Sequence, residues 1–233
     1  MQIFFKQAFK ERMFHWLTIG MGSCIHCESF FVRKSLLCHF CESKLFSLSC
    51  PEGLYHQTSH QISCFSLLSW ERDQNIILNR LILNLKGRRQ RNAWSYFGRL
   101  IAYELRRQSP ETLGFSLDDE LIIVPCPSRL KVNDHAFFLA QALSEQLKVP
   151  LVKTMEFSEF SSESKKMRRV ERLAAQRLSL SKDENDQVPT SNKANRTVLF
   201  IDDVITTGAT VKTANLLHKE YKKFIAISLA FRR

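Results

Sequence analysis

Hydrophobic residues along this chain follow two different periods. From residue 75 to 85 the apolar side chains fall at 77, 78, 81, 82 and 85, and from 94 to 107 they recur at Phe97, Ile101 and Leu105. Both runs have the three-to-four spacing of an amphipathic helix. A third helical face spans 136–147. Between these runs lie short apolar stretches at 62–68, 121–124, 198–201 and 224–231, whose length and β-branched and aromatic content predict buried strands. Strands alternating with helices imply an α/β fold with a mostly parallel sheet and flanking helices, preceded by a small N-terminal module. Residues 47–60, with Pro51, Gly53 and several Ser and His, read as a linker between residues 1–46 and 61–233. The polar stretch 158–194 reads as exposed and mobile, interrupted by a helical segment at 170–180.

The strand at 198–201 leads directly into chemistry. Asp202 and Asp203 follow it, and then Thr206, Thr207, Gly208, Ala209 and Thr210 open a helix that runs to about Tyr221. Two adjacent carboxylates repel each other and lose hydration when buried, so they persist where hydroxyl groups, a hydrated cation or solvent share the charge. A ribose diol with Mg²⁺ nearby meets that need. Gly208 permits close backbone approach, and the peptide N–H groups of a helix N-terminus can cradle a phosphate. For the acidic pair taken alone, a solvated helix-capping turn is the common alternative. The whole string resembles the signature of type I phosphoribosyltransferases that binds 5-phosphoribosyl-1-pyrophosphate (PRPP). That resemblance implies that Asp202 and Asp203 contact the ribose hydroxyls and that residues 206–210 hold the 5′-phosphate.

A second motif lies near the N-terminus. Cys24 and Cys27 form one CxxC pair, Cys38 and Cys41 another, and ten residues separate them. This spacing lets two knuckles converge on one tetrahedral Zn²⁺, and four thiolates would close the shell, which makes the site structural rather than catalytic. His26 or His39 could replace one cysteine. A disulfide framework is disfavoured, because seven cysteines is an odd number and a 233-residue chain can build a core without staples. Cys50, Cys64 and Cys126 have no partner spacing and read as small core residues.

A four-cysteine module followed by a phosphoribosyltransferase-like domain resembles the ComF (ComFC) competence family, proteins implicated in natural transformation. Further similarities are the stretch from Leu85 to Arg88, similar to a KxGR pattern, the strand ending in Pro125-Cys126-Pro127, similar to PxP, and the basic segment at 164–172. The family's usual RGFNQ after PxP is replaced here by Lys131-Val-Asn-Asp-His135, and the usual Gln near Ser164 is absent. These departures fall where pyrophosphate or an acceptor base would bind. The resemblance therefore implies a competence protein that handles incoming single-stranded DNA and binds PRPP with Mg²⁺. The alternative is an active phosphoribosyltransferase of nucleotide or base metabolism, with Asp202, Asp203 and Arg129 catalytic and with Arg129 and Lys131 as pyrophosphate cations.

The formal net charge of +11 points toward phosphate-rich or anionic partners without identifying one. Lys86, Arg88, Arg89 and Arg91 form a candidate nucleic-acid cluster, with Trp94, Tyr96 and Phe97 nearby in sequence as stacking faces. Such aromatics are more often core residues of a helix, and the cations can equally be a solvated helix end. The basic group Lys165, Lys166, Arg168, Arg169, Arg172 and Arg177 lies where many type I phosphoribosyltransferases place a hood over the site. Near the start, Phe5, Phe9, Met13 and Trp16 lie at helical spacing among basic residues, a pattern suited either to an anionic membrane surface or to packing within the protein. Lys6, Lys10, Glu11 and Arg12 interrupt that stretch and argue against a signal peptide. The resulting expectation is a cytoplasmic protein, placed at the inner membrane face if that helix binds lipid, with DNA-uptake or recombination proteins as partners.

Overall fold

The computed structural model of the chain describes residues 24–27, 36–47, 55–70, 76–87, 91–128, 134–157, 178–181 and 190–232. The N-terminal amphipathic stretch, Cys50, Arg88, Arg89, Arg129, Lys131 and the basic segment at 164–172 lie outside these residues, and for Arg91 only the backbone is described. In chain order the elements are α1 (His39–Ser47), β1 (Tyr55–Gln57), β2 (Ser63–Trp70), α2 (Ile76–Gly87), α3 (Arg91–Arg107) and the short α4 (Pro110–Leu113). They continue with β3 (Leu121–Pro125), α5 (His135–Leu147), β4 (Met155–Phe157), β5 (Leu178–Leu180), a 3₁₀ turn (Thr190–Asn195), β6 (Thr197–Ile205), α6 (Ala209–Leu217) and β7 (Lys223–Arg232).

Five strands form one sheet in the order β1-β2-β7-β6-β3. Strands β2, β7, β6 and β3 are parallel, and β1 is antiparallel at one edge. The central strands are apolar on both sides because helices or loops cover both faces: Val198, Leu199, Phe200 and Ile201 of β6 and Ile225, Ala226 and Ile227 of β7 are fully buried. On one face Leu199, Ile201, Ile225 and Ile227 share a core with Leu78, Leu81 and Leu85 of α2, Trp94, Phe97, Ile101 and Leu105 of α3, and Leu139 and Leu143 of α5. The other face places Val198, Phe200 and Ala226 against Val211 and Ala214 of α6 and Met155 and Leu178 of the β4–β5 pair. Helices α3 and α5 approach closely at Gly98, where an added Cβ would lie 2.6 Å from the Leu139 carbonyl oxygen and 2.8 Å from Ala142 Cβ. A side chain there would force two buried helices apart.

Several expectations are corrected. Residues Leu178–Leu180, read as the end of a helix, pair antiparallel with Met155–Phe157. Burial of Leu178 and the bond from Ser181 N–H to the Thr154 carbonyl oxygen outweigh the local helical pattern. Within the stretch read as linker, Tyr55–Gln57 forms β1 and Thr58 is buried. The helix after the acidic pair stops at Leu217, where His218 caps it, short of Tyr221. Lys193, placed by its sequence in an exposed polar stretch, is buried: its stem lies under the domain, with its amine 5.8 Å from the Tyr221 ring and 4.0 Å from Glu220.

The four-cysteine segment joins the same core. Cys24, Ile25, Leu37, Cys41 and Leu45 belong to the cluster that contains Leu78, Leu81, Ile82 and Leu85 of α2. The Asn84 amide anchors that contact by donating to the carbonyl oxygens of Ile25 at 2.8 Å and His26 at 3.4 Å.

Candidate functional site

Strand β6 continues past the acidic pair to Ile205, rather than ending before it, because β7 remains alongside with Val204 opposite Ala230 and Ile205 opposite Phe231. On the other side β3 ends at Pro125, paired with Ile201, and Cys126 N–H donates to the Ile201 carbonyl oxygen at 2.7 Å. Asp202 and Asp203 therefore line the carboxyl-end crevice just beyond β3, where open parallel sheets bind ligands. Successive strand residues point to opposite faces, so the two carboxylates leave β6 on different sides.

Asp203 points toward the α2 side. Its Oδ2 lies 2.9 Å from Lys86 Nζ, and its Oδ1 accepts from Val204 N–H at 2.7 Å. The Lys86 side chain is 42% exposed, so the ion pair is worth about 0–1 kcal/mol and is easily rearranged. His135, the first residue of α5, sits beside this pair with its ring 5.1 Å from that of Trp94. Burial lowers the pKa of its imidazole, Asp203 raises it and Lys86 lowers it. The neighbouring Asp134 caps α5 by accepting from Phe137 N–H.

Asp202 lies in a row with Ser228 and Ser66 across three parallel strands. The Ser66 and Ser228 hydroxyls are 2.8 Å apart in the interior, and the Cys64 thiol lies 3.6 Å from Ser66 Oγ. Burial pushes the Cys64 thiol up to about 12, and Asp202 adds to that rise while Ser66 opposes it. Asp202 Oδ1 accepts from Asp203 N–H at 2.8 Å. Burial first, and the adjacent Asp203 charge second, push the Asp202 carboxyl up to about 7, against the pull of that N–H and of Lys86.

The following turn is built for close approach. Gly208 has φ +72°, a conformation that favours glycine, and a Cβ on it would lie 3.0 Å from Thr58 Cβ, a tight contact that Thr58 would have to relieve. The β1–β2 turn thus seats against the start of α6, and Ser59 Oγ donates to the Thr207 carbonyl oxygen at 3.2 Å. No side chain caps α6 at Gly208, while Thr206, Thr207, Ala209 and Thr210 are exposed. Thr207 Oγ1 accepts from Ala209 N–H, and Lys212 N–H donates to the Gly208 carbonyl oxygen to begin the helix. The arrangement presents hydroxyl groups and a helix start whose N-cap residue has no side chain, five residues after Asp203.

At the N-terminal cluster Cys24, Cys27, Cys38 and Cys41 bring their sulfurs within 4.8 Å of one another. The Cys27 and Cys38 sulfurs are 3.7 Å apart. A tetrahedral shell with Zn–S arms of about 2.3 Å has edges of about 3.8 Å, whereas a disulfide needs about 2.05 Å. The donor set fits a structural zinc. His26 does not replace a cysteine: its Nδ1 lies 3.1 Å from Cys41 Sγ, as a group supporting a ligand from outside the four-sulfur set. Burial pushes the Cys24 thiol up, but N–H donors from Cys27, Cys38 and His26 and the Cys27 side chain outweigh it and bring it down to about 7. Cys41 is pushed up by burial and by the neighbouring thiols.

The structure pairs Lys86 with Asp203, leaves Asp202 on the other face of β6, and exposes Thr206, Thr207, Ala209 and Thr210 a few residues on. By sequence Lys86 groups with Arg88, Arg89 and Arg91 as a nucleic-acid contact. Its signal as a partner of Asp203 is its place one step beyond the buried Leu85, at the end of a helix whose apolar face joins the same core as β6. Thr58 and Ser59 escape sequence reasoning because a Ser- and His-rich stretch carries no periodicity to mark it as structural. Trp94 and Phe97 are fully buried and cannot stack on bases, and Tyr96 packs against the same core. Cys64 and Cys126 are buried as expected. Among the described residues, no helix is long and apolar enough to cross a membrane.

A carboxyl whose folded pKa is raised stabilises the fold most below its unfolded value near 3.8 and loses that contribution as pH rises through about 7. Asp202→Asn removes the loss. The variant should melt at least about 2 °C above the parent at pH 8, with the gap closing below pH 5 in differential scanning calorimetry. Equal melting at both pH values would contradict the raised value.

Residues 130–233 match the family described as "Phosphoribosyl transferase domain". No match is found among curated proteins. A purine phosphoribosyltransferase from Pyrococcus horikoshii Ot3 is similar at 18% identity over 60% of this chain and 83% of its own, with a TM-score of 0.35. The matched family segment contains β6, the acidic pair and α6, whereas Lys86, Thr58 and the cysteines precede it. Residues 130–233 are thus similar to a phosphoribosyltransferase domain, and a four-cysteine cluster precedes them in the chain.

Proposed function

We propose that this protein binds PRPP with Mg²⁺ in the crevice at the carboxyl end of β6. The observation that carries this reading is the pairing of Asp202 and Asp203 with the uncapped, glycine-entered start of α6 only five residues on. A ribose diol offers two O–H donors, which satisfy carboxylates that are costly to leave in a dry site. A 5′-phosphate at residues 206–210 would accept from backbone N–H groups at the positive end of α6 and from threonine hydroxyls. Mg²⁺ arriving with the pyrophosphate would neutralise part of its charge.

In an enzyme, a nitrogen nucleophile would form a bond to ribose C1 as the C1–O bond breaks and its electron pair leaves with pyrophosphate. Asp202 and Asp203 would orient the ribose, and Arg129 would stabilise the departing charge. The replacement of the RGFNQ pattern by Lys131-Val-Asn-Asp-His135 supports ligand binding without turnover as the working reading. Asp134 caps α5, and the His135 ring is half-buried against Trp94, so both are engaged in packing. Titration of Mg²⁺-PRPP into the protein should give saturable heat, and the Asp202→Ala, Asp203→Ala double variant should abolish it. Unchanged affinity in that variant would remove the site assignment.

The four-cysteine cluster, in this proposal, holds one structural Zn²⁺. Purified protein should contain about one equivalent of zinc, and less than about half an equivalent in natively folded protein would contradict the assignment.

The wider role we propose is handling of single-stranded DNA during natural transformation, which the resemblance to the ComF family and the net charge of +11 support. Burial of Trp94 and Phe97 removes these two as stacking faces, and the binding proposed rests on phosphate contacts by the basic cluster. Gel shifts across salt concentration should show single-strand binding that weakens steeply with salt and weakens further in an Arg88→Ala, Arg89→Ala, Arg91→Ala variant. No shift at low salt would refute the DNA role.

A further inference from the structure

Asn84 and Lys86 stand two residues apart on α2 and are tied to different parts of the molecule. At 100° per residue their side chains leave the helix on roughly opposite sides. On one side the Asn84 amide donates to the carbonyl oxygens of Ile25 and His26, the two residues enclosed between Cys24 and Cys27. On the other, Lys86 Nζ lies 2.9 Å from Asp203 Oδ2. Leu85 between them is fully buried, and Leu78, Leu81 and Ile82 seat the preceding turns in the same core. A helix held this way moves as a unit, because close-packed side chains resist small displacements.

We propose that the four-cysteine module sets the position of Lys86 in the phosphoribosyl pocket through Asn84, and so couples metal occupancy to ligand affinity. The proposal rests on the reading of the crevice as a PRPP site. A pyrophosphorylated sugar brings several negative charges to a crevice that already holds two carboxylates. Lys86 is the cation that neutralises Asp203 in the free protein, and its exposed amine can turn to bridge Asp203 and the pyrophosphate. The last turn of α2 fixes where that amine starts. Ile25 and His26 lie between two metal-ligand positions, so an ion bound there immobilises the carbonyls that Asn84 grips. Loss of the ion releases them, and with them the end of α2. Asn84 is thus a positioning residue, and only Lys86 would touch the ligand.

The test uses full-length zinc-loaded protein with Asn84→Ala, Lys86→Met and the double variant, with zinc content and melting temperature measured alongside. Calorimetry should show each single variant binding Mg²⁺-PRPP about tenfold more weakly, within the range usual for coupled sites. The double variant should bind no more weakly than Lys86→Met alone, because Asn84 acts through Lys86. Independent losses that multiply, or parent-like affinity in Asn84→Ala, would overturn the proposal. A second cycle, Lys86→Met with Asp203→Asn in thermal denaturation, reads the ion pair without PRPP. Its coupling should be present in the parent and lost in the Asn84→Ala background; coupling that persists there overturns the relay. Coupling that is lost while the parent fails to bind PRPP supports the relay and overturns the pocket reading instead.

Discussion

Asp202 carries a carboxyl held largely away from water beside a second carboxylate, and the surrounding architecture determines how that arrangement is tolerated. Burial and the Asp203 charge push its pKa up to about 7, while the Asp203 N–H and the Lys86 amine pull the other way. The strand cannot move the pair into solvent, because four residues before it are fully buried and β7 holds the ladder beyond it as far as Ile205. Strongly shifted carboxyls cluster at functional sites, and that is why the proposed ligand site is centred on this pair. A polar row of Ser66 and Ser228 extends from Asp202 into the sheet and gives the interior a hydroxyl-rich patch beneath the crevice.

The helical layer on the Asp203 side connects this crevice to the cysteine cluster. Helix α2 packs through Leu78, Leu81 and Leu85 on the sheet, receives the module's carbonyls at Asn84 and delivers Lys86 to Asp203. On the opposite side the β1–β2 turn sets Thr58 close against Gly208, whose positive φ and tight surroundings favour glycine at the start of α6. Two segments that precede the family-matched residues 130–233 therefore meet Asp203 and the start of α6, which lie within them.

Much of this was legible in the sequence, for identifiable physical reasons. The runs at 121–124, 198–201 and 224–231 are strongly apolar and short, and each became a parallel strand whose burial on both faces that pattern reports. The spacing of Phe97, Ile101 and Leu105 gave the buried face of α3. The matched CxxC pairs placed four sulfurs together. Leu178–Leu180 defied its local pattern because three residues cannot express a period, and pairing with Met155–Phe157 decided their conformation. β1 is three residues long and too short to express a period, and the contacts of Thr58 and Ser59 were hidden because their partners lie nearly 150 residues away, such as Thr207. Lys86 looked like one cation among several, and its ion pair with Asp203 comes from tertiary contact that sequence spacing does not report.

A structure of the complex with PRPP and Mg²⁺ tests the central claim most directly. The account predicts the ribose hydroxyls within about 3.2 Å of the Asp202 and Asp203 carboxylates and the 5′-phosphate on the N–H groups of residues 206–210. A ligand bound elsewhere, with both carboxylates free of sugar hydroxyls, would contradict it.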